Sequence, residues 1–325
     1  MADVLVPILW LILWFTILIF SSFLLSLGAE SLSYKLGGKF VGRTILSITT
    51  TLPEIFIVAS AALRGFHGTA MGSAFGSNIL MMTVGLSIMV IVATTSLARV
   101  RLKEVKVDEF RLDMIFLVVS ALVAVILFYD GYSLLDGVIF LAMFVAYLIF
   151  AFYEGKKEAK RIDNKEAHGS PRKGAALLAV GGVGLFIAAL PFVLALEGVS
   201  AAIGVAPIVI ALILSPIAGE MPEKLAIIIL ARKGERGVSI AVANVLGSKV
   251  LNNTLLLAVM IFAALYTVTP VIQPTGILPF TVAWAAVITI IAIFLMARRR
   301  RLVLRDAVIL TSLYIGTIAL QFLLS

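Results

Sequence analysis

The sequence predicts an all-α membrane protein of ten transmembrane helices, built as two inverted five-helix repeats with both termini extracytoplasmic. Three observations predict it. Apolar blocks of about 20 residues recur along the chain, basic residues crowd into alternate loops, and one motif is written twice, once in each half.

Of 325 residues, 62% are hydrophobic and only 14% charged, with a mean hydropathy of +1.14. Soluble domains carry about 25% charged residues. The first apolar run, Val4 to Leu27, lacks a basic leader and a small-residue cleavage site, so it reads as a retained helix rather than a signal peptide. There is no cysteine, which excludes disulfides, thiolate metal sites and cysteine nucleophiles.

Apolar segments fall at 4–27, 41–63, 69–96, 112–129 and 133–153, then at 175–196, 203–231, 237–264, 272–297 and 303–324. The one long polar stretch, Glu154 to Lys173, divides them five and five. It defines a first repeat (1–154), a cytoplasmic linker (155–174) and a second repeat (175–325). With ten spans, the loops holding Lys35 to Arg43, Arg99 to Arg111, Lys156 to Lys173, Arg232 to Arg236 and Arg298 to Arg305 share one side and carry 23 of the 26 Lys/Arg. The other side carries only Arg64. This bias places the basic loops in the cytoplasm and turns the net charge of +8 into a topology signal. No soluble basic domain remains to bind nucleic acid. The expected setting is the cell membrane, multi-pass, as a monomer among lipids; the linker would lie in solvent, with anionic lipid as its one available partner.

The repeated motif lies in the second and third spans of each half. It reads Thr50-Thr51-Leu52-Pro53-Glu54, Arg64-Gly65, Gly76-Ser77-Asn78, and then Gly219-Glu220-Met221-Pro222-Glu223, Lys233-Gly234, Gly247-Ser248-Lys249. Five spans per half is an odd number, so the second copy enters the membrane from the other side. Inverted repeats with proline-interrupted helices at matching positions point to a secondary transporter with a midplane site.

Three acids lie well inside the apolar spans: Glu54, Glu220 and Glu223. Each costs about 2.5–3.5 kcal/mol at a helix centre on insertion scales, so a chain keeps it for compensation or function. Glu220 and Glu223, spaced i, i+3, belong near one helix face. Pro53 and Pro222 remove a backbone donor, freeing the carbonyls of Thr49 and Ala218. Carboxylates, carbonyls and hydroxyls are the hard oxygen ligands that Ca²⁺ or Na⁺ prefers, and Mg²⁺ or Mn²⁺ differ only in geometry. Thr50 and Thr51 add hydroxyls, and Ser77, Asn78, Ser248, Asn252 and Asn253 add further oxygen. The bland readings are that the hydroxyls bond back to their own helix, that Asn78 joins two helices, and that Lys224 or Lys249 pairs with an acid. Gly72 and Gly76 form a small-xxx-small pair suited to close helix approach.

At these residues the chain resembles the Ca²⁺/cation antiporter superfamily, which includes sodium/calcium and calcium/proton exchangers and typically carries a Ser/Thr-Leu-Pro-Glu helix followed by a Gly-Ser-Asn helix. The resemblance spans both halves. It implies extrusion of Ca²⁺ in exchange for Na⁺ or H⁺ at Glu54 and Glu223, with these ions as substrates and no cofactor. It also implies that the first and sixth spans slide across a fixed core. The first copy follows the pattern except at Met81, where a polar residue is common. In the second, Gly219 stands for Thr, Glu220 for Ser and Lys249 for Asn, while Asn252 keeps the polar group missing at Met81. Lys249 would either pair with Glu220, leaving Glu54 and Glu223 for a divalent ion, or take a place that Na⁺ fills in relatives. The latter would favour proton coupling.

Other features predict less. His67 reads as an external loop residue, Asp130 and Asp136 as solvated turn residues, and Gly181-Gly182-x-Gly184 as close helix packing rather than a phosphate loop. The linker is too short for a regulatory Ca²⁺-binding domain. An intramembrane protease would leave the duplicated Pro-Glu motif unexplained: the two histidines, His67 and His168, lie in loops, and Ser248 beside Lys249 has no oxyanion element. An ion channel would differ in needing no counter-gradient.

Overall fold

The computed structural model describes residues 2–33, 47–159, 171–267 and 271–324. Its helices are α1 (Ala2–Ser33), α2 (Ser47–Leu63), α3 (His67–Leu80), α4 (Leu86–Thr94), α5 (Arg111–Leu127) and α6 (Leu134–Ala159), followed by α7 (Pro171–Ile203), α8 (Pro207–Gly219), α9 (Met221–Ala231), α10 (Glu235–Leu251), α11 (Leu257–Ala264), α12 (Leu278–Arg299) and α13 (Leu304–Leu324). One π-helical turn, Met81–Gly85, joins α3 to α4, and another, Asn252–Leu256, joins α10 to α11. Among the described residues, eight helical stretches are long and apolar enough to cross a membrane; Ser47–Leu63 and Pro207–Gly219 are apolar but shorter. The basic residues of the first loop and most of the linker, with His168, lie outside the described residues.

Burial separates a centre from a rim. The continuous stretches His67–Thr94 and Glu235–Ala264 are each 83% buried, whereas the spans in α1, α6 and α13 are 28%, 28% and 22% buried. Large apolar side chains such as Phe186, Ile126 and Leu323 face outward, as a hydrocarbon solvent permits. The two halves interlock: α6 packs on α11 of the other half, and α13 packs on α4. The longest pair, α1 and α7, run against each other because glycine removes the side chain at their contact. A Cβ at Gly181 would stand 2.6 Å from the Leu25 amide, and one at Gly28 2.7 Å from the Gly174 carbonyl.

Short backbone ties close both ends of the bundle. At one end β1 (Val105–Lys106) pairs antiparallel with β2 (Arg301–Leu302), and the Arg99 amide donates to the Arg232 carbonyl at 3.0 Å. Three of the basic loops therefore meet at one end. Beyond the spans there, Lys106 pairs with Glu235 at 2.8 Å, which raises the Lys106 pKa. At the other end Tyr132 and Ile272 exchange backbone hydrogen bonds of 3.0 and 3.1 Å.

The structure corrects four expectations. The span expected at 203–231 is broken, because Glu220 leaves the helical conformation between α8 and α9 (φ −95°, ψ 6°). Pro222 drives the break, since a proline in the first turn of a new helix needs no donor. Helix α7 begins at Pro171 and continues to Ile203, so Glu197 is a fourth acid inside an apolar stretch; the Thr69 hydroxyl donates to it. Asp136 is buried rather than solvated: its carboxylate accepts from the Ser133 amide at 2.8 Å and closes the first turn of α6. His67 opens α3 rather than lying in a loop.

Candidate functional site

The site lies where α2, the α8–α9 break and the two central helices converge. Both central helices carry a motif serine, Ser77 or Ser248, and both turn π-helical four residues later. In each π turn a threonine hydroxyl folds back onto the preceding turn, Thr83 to the Ile79 carbonyl at 2.5 Å and Thr254 to the Val250 carbonyl at 2.6 Å. A π turn inserts one residue and rotates the rest of the helix about its axis, a device common at functional sites.

Close packing sets the depth. Gly72 and Gly76 press α3 onto α8, as the small-xxx-small spacing predicts: a Cβ on either would stand within 2.4 Å of the Ile208 or Leu212 carbonyl oxygen. A Cβ at Gly219 would already meet Glu54 Cγ at 3.0 Å. The glycine at this threonine position of the motif therefore makes room for the carboxylate of the other half.

Two serine–glutamate pairs form the symmetric part. Ser77 Oγ donates to Glu54 Oε1 at 2.8 Å, and Ser248 Oγ donates to Glu223 Oε1 at 2.5 Å. All four residues are buried. The other oxygens, Glu54 Oε2 and Glu223 Oε2, have no hydrogen-bond partner, although a buried carboxylate oxygen left bare is costly.

Glu220 and Lys249 make the asymmetric part. Lys249 is fully buried and its ammonium donates to Glu220 Oε1. Ser77 Oγ also reaches that oxygen and accepts from Lys249 Nζ at 3.2 Å; Glu223 Oε2 lies 4.0 Å from the same nitrogen. With the Asn252 amide turned so that both its ends find partners, its oxygen accepts from Lys249 Nζ at 3.0 Å and lies 2.9 Å from Ser77 Oγ. Its nitrogen then donates to the Ser248 carbonyl at 3.2 Å. Lys224 donates to the Pro216 carbonyl at 3.0 Å and stands 3.8 Å from Glu220 Oε2. The ion pair weighed for Glu220 is thus present. Glu220 and Glu223 meet at this centre by way of the helix break rather than by sharing a continuous helix face.

The remaining sequence-predicted residues take lesser positions. Thr50 and Thr51 are buried and donate to the Ser47 carbonyl at 3.2 and 2.8 Å, bonding back to their own helix. Asn78 joins Asn253, which donates on to Ser120 at 3.3 Å, so Asn78 does tie helices together; its side-chain Oδ1 is without a partner. Met81 is fully buried beside these groups. Ala218 is buried in the last turn of α8, and Thr49 lies in the first turn of α2. Among the described residues, no three His, Cys, Asp or Glu side chains converge closely enough to hold a metal ion between themselves. The Lys249 ammonium stands between Glu220 and Glu223. Sequence reasoning missed Glu197, because the expected end of its span fell one residue before it.

The sequence matches the family described as sodium/calcium exchanger protein over residues 6–153 and 173–323. It is 26% identical over 226 residues to the uncharacterized membrane protein MJ0091 of Methanocaldococcus jannaschii, covering 69% of this chain and 71% of that one. The fold is similar to the solved H⁺/Ca²⁺ exchanger CAX (TM-score 0.79, 18% identity, 98% of this chain and 86% of that chain). It is also similar to the sodium-calcium exchanger NCX_Mj (TM-score 0.67, 22% identity, 97% and 98%).

Proposed function

This chain belongs to the sodium/calcium exchanger family, a family of transporters rather than enzymes, and we propose that it is a secondary active antiporter that extrudes Ca²⁺ in exchange for Na⁺ or H⁺. The observation that carries the reading is the meeting of Glu54 and Glu223, the Pro-Glu acids of the two halves, at one buried cluster, each held by the serine of its own motif.

The proposed topology is ten spans in two inverted five-helix repeats, 1–154 and 175–325. The pair α8–α9 makes the seventh span, and α2 is the described part of the second. Both termini lie outside, the basic loops face the cytoplasm, and the protein works as a monomer in the cell membrane. The interlocked pairs α6–α11 and α13–α4 support this arrangement.

In the proposed site the transported cation binds between the bare oxygens of Glu54 and Glu223. Glu220, Ser77, Ser248, Asn78 and Asn252 stand around it, and Thr50, Thr51 and the carbonyls of Thr49 and Ala218 complete the oxygen set. Exchange is a consequence of charge. Glu54 Oε2 and Glu223 Oε2 are buried with no hydrogen-bond partner, so crossing the membrane without a cation beside them would leave costly bare carboxylate oxygens in a poorly polarizable interior. A site that crosses only when loaded must carry one ion out and another in. The halves would alternate access by displacement of α1 and α7 against the enclosed helices.

The test is ⁴⁵Ca²⁺ uptake into proteoliposomes under an imposed outward Na⁺ gradient or an imposed pH gradient. Uptake driven by one of them identifies the counter-ion. Absence of driven uptake with either excludes a calcium antiporter.

A further inference from the structure

Lys249 is unusual for its completeness. An ammonium has three donors, and this one has three partners drawn from both halves of the chain: Glu220 Oε1, Ser77 Oγ and the Asn252 amide oxygen. Glu223 Oε2 stands 4.0 Å away as a fourth oxygen. The side chain is wholly buried, as are all four of these residues. A compact charge held by carboxylate, hydroxyl and amide oxygens is what a bound monovalent cation looks like from its ligands, except that this one is covalently tethered to α10.

We propose that the Lys249 ammonium is a fixed, untransported cation of the transport site, doing the work of one monovalent ion. Each cycle then moves one fewer counter-ion per Ca²⁺ than the same site would with a neutral residue there. The inference rests on the antiporter reading and deepens it, and it requires no change in the protonation of Lys249. Glu220 supplies the charge that the ammonium offsets. Glu54 Oε2, with no hydrogen-bond partner, and Glu223 Oε2, no closer than 4.0 Å to the ammonium, are what remains for the ions that move. Lys224 does not play the same part: it reaches Glu220 only at 3.8 Å, spends a donor on the Pro216 carbonyl and is 11% exposed.

The experiment counts counter-ions. Wild type, K249Q, K249R and the double variant E220Q/K249Q are reconstituted into proteoliposomes. The Ca²⁺ gradient that just stops net ⁴⁵Ca²⁺ flux is then found against a known gradient of the driving Na⁺ or H⁺, with membrane potential clamped by K⁺ and valinomycin. The expected result is a coupling ratio higher by one in K249Q. K249R, which keeps the charge, and E220Q/K249Q, which removes the whole pair, should keep the wild-type ratio. A wild-type ratio in K249Q overturns the inference. Where K249Q does not fold, K249N, which removes the charge with a shorter side chain, is read the same way: a ratio higher by one supports the inference, and the wild-type ratio overturns it. Absence of driven flux in the wild type refutes the antiporter reading itself, so the two failures are distinguishable.

Discussion

Gly76 lies so close to Leu212 that a Cβ built on it would stand 2.3 Å from the Leu212 carbonyl oxygen and 2.6 Å from its Cα. The obstruction is backbone, which cannot rotate away. Gly76→Ala should therefore push α8 off α3, costing about 1–3 kcal/mol as overpacking does, and pull the α8–α9 break away from Ser77. The expected outcome is a lower melting temperature in detergent together with weakened Ca²⁺ transport. Unchanged stability would contradict the contact.

Replacing Glu54 or Glu223 by Gln keeps shape and removes charge. Loss of one partner from a buried charged pair costs about 3–5 kcal/mol, so each variant should lose exchange by more than about a hundredfold, since each 1.4 kcal/mol is a factor of ten. The check is ⁴⁵Ca²⁺ flux normalised to reconstituted protein. Survival of exchange in either variant would dislodge that residue from the centre of the site.

The two motif serines should not be equivalent. Ser77 touches Glu54, Glu220, Lys249 and Asn252, and so joins both halves, whereas Ser248 serves Glu223 and its own helix at the Val245 carbonyl. A hydrogen bond to a charged group is worth about 1.5–3 kcal/mol. Ser77→Ala is expected to weaken apparent Ca²⁺ affinity roughly ten- to hundredfold, and Ser248→Ala by less. Concentration dependence of initial uptake measures both; equal effects would speak against the asymmetric reading.

Asp136 and Asp306 close the first turns of α6 and α13 in the same way, accepting from the Ser133 amide at 2.8 Å and the Val303 amide at 2.9 Å. Asp136→Ala should cost about 1 kcal/mol of stability, the usual value of a lost cap, with coupled flux intact. Asp306→Ala should cost more, because Arg298 also bonds this carboxylate at 2.5 Å. Thermal denaturation monitored by monodispersity reads the difference.

Much of the molecule was legible because the bilayer imposes its length on apolar runs, and three of the basic loops do meet at one end. The Gly72–Gly76 contact and the convergence of Glu54 with Glu223 were readable from spacing and duplication. The break at Glu220 was not: Pro222 signals an interruption, but a proline inside a helix and one opening a new helix look alike in sequence, and Pro53 indeed lies inside α2. The buried state of Asp136 escaped because a carboxylate three residues into a helix reads as a solvated turn until its amide partner is seen. Glu197 escaped because helix ends are the least readable part of an apolar run. The Lys249 cluster depends on side chains from α3, α9 and α10, and only the Lys249–Glu220 pairing could be anticipated from residue types.

The backbone contact between α1 and α7 has a mechanical consequence. Gly181 meets the backbone of Leu25 and Ser21, Gly28 meets that of Gly174, and a Cβ at Gly184 would strike the Ser21 hydroxyl, so the two helices are held together at backbone distance. One comes from each half of the chain, and a displacement of α1 carries α7 with it. If α1 and α7 move during transport, as proposed, the pair would move as one seesaw beam, and the two mouths of the bundle would open in turn rather than together.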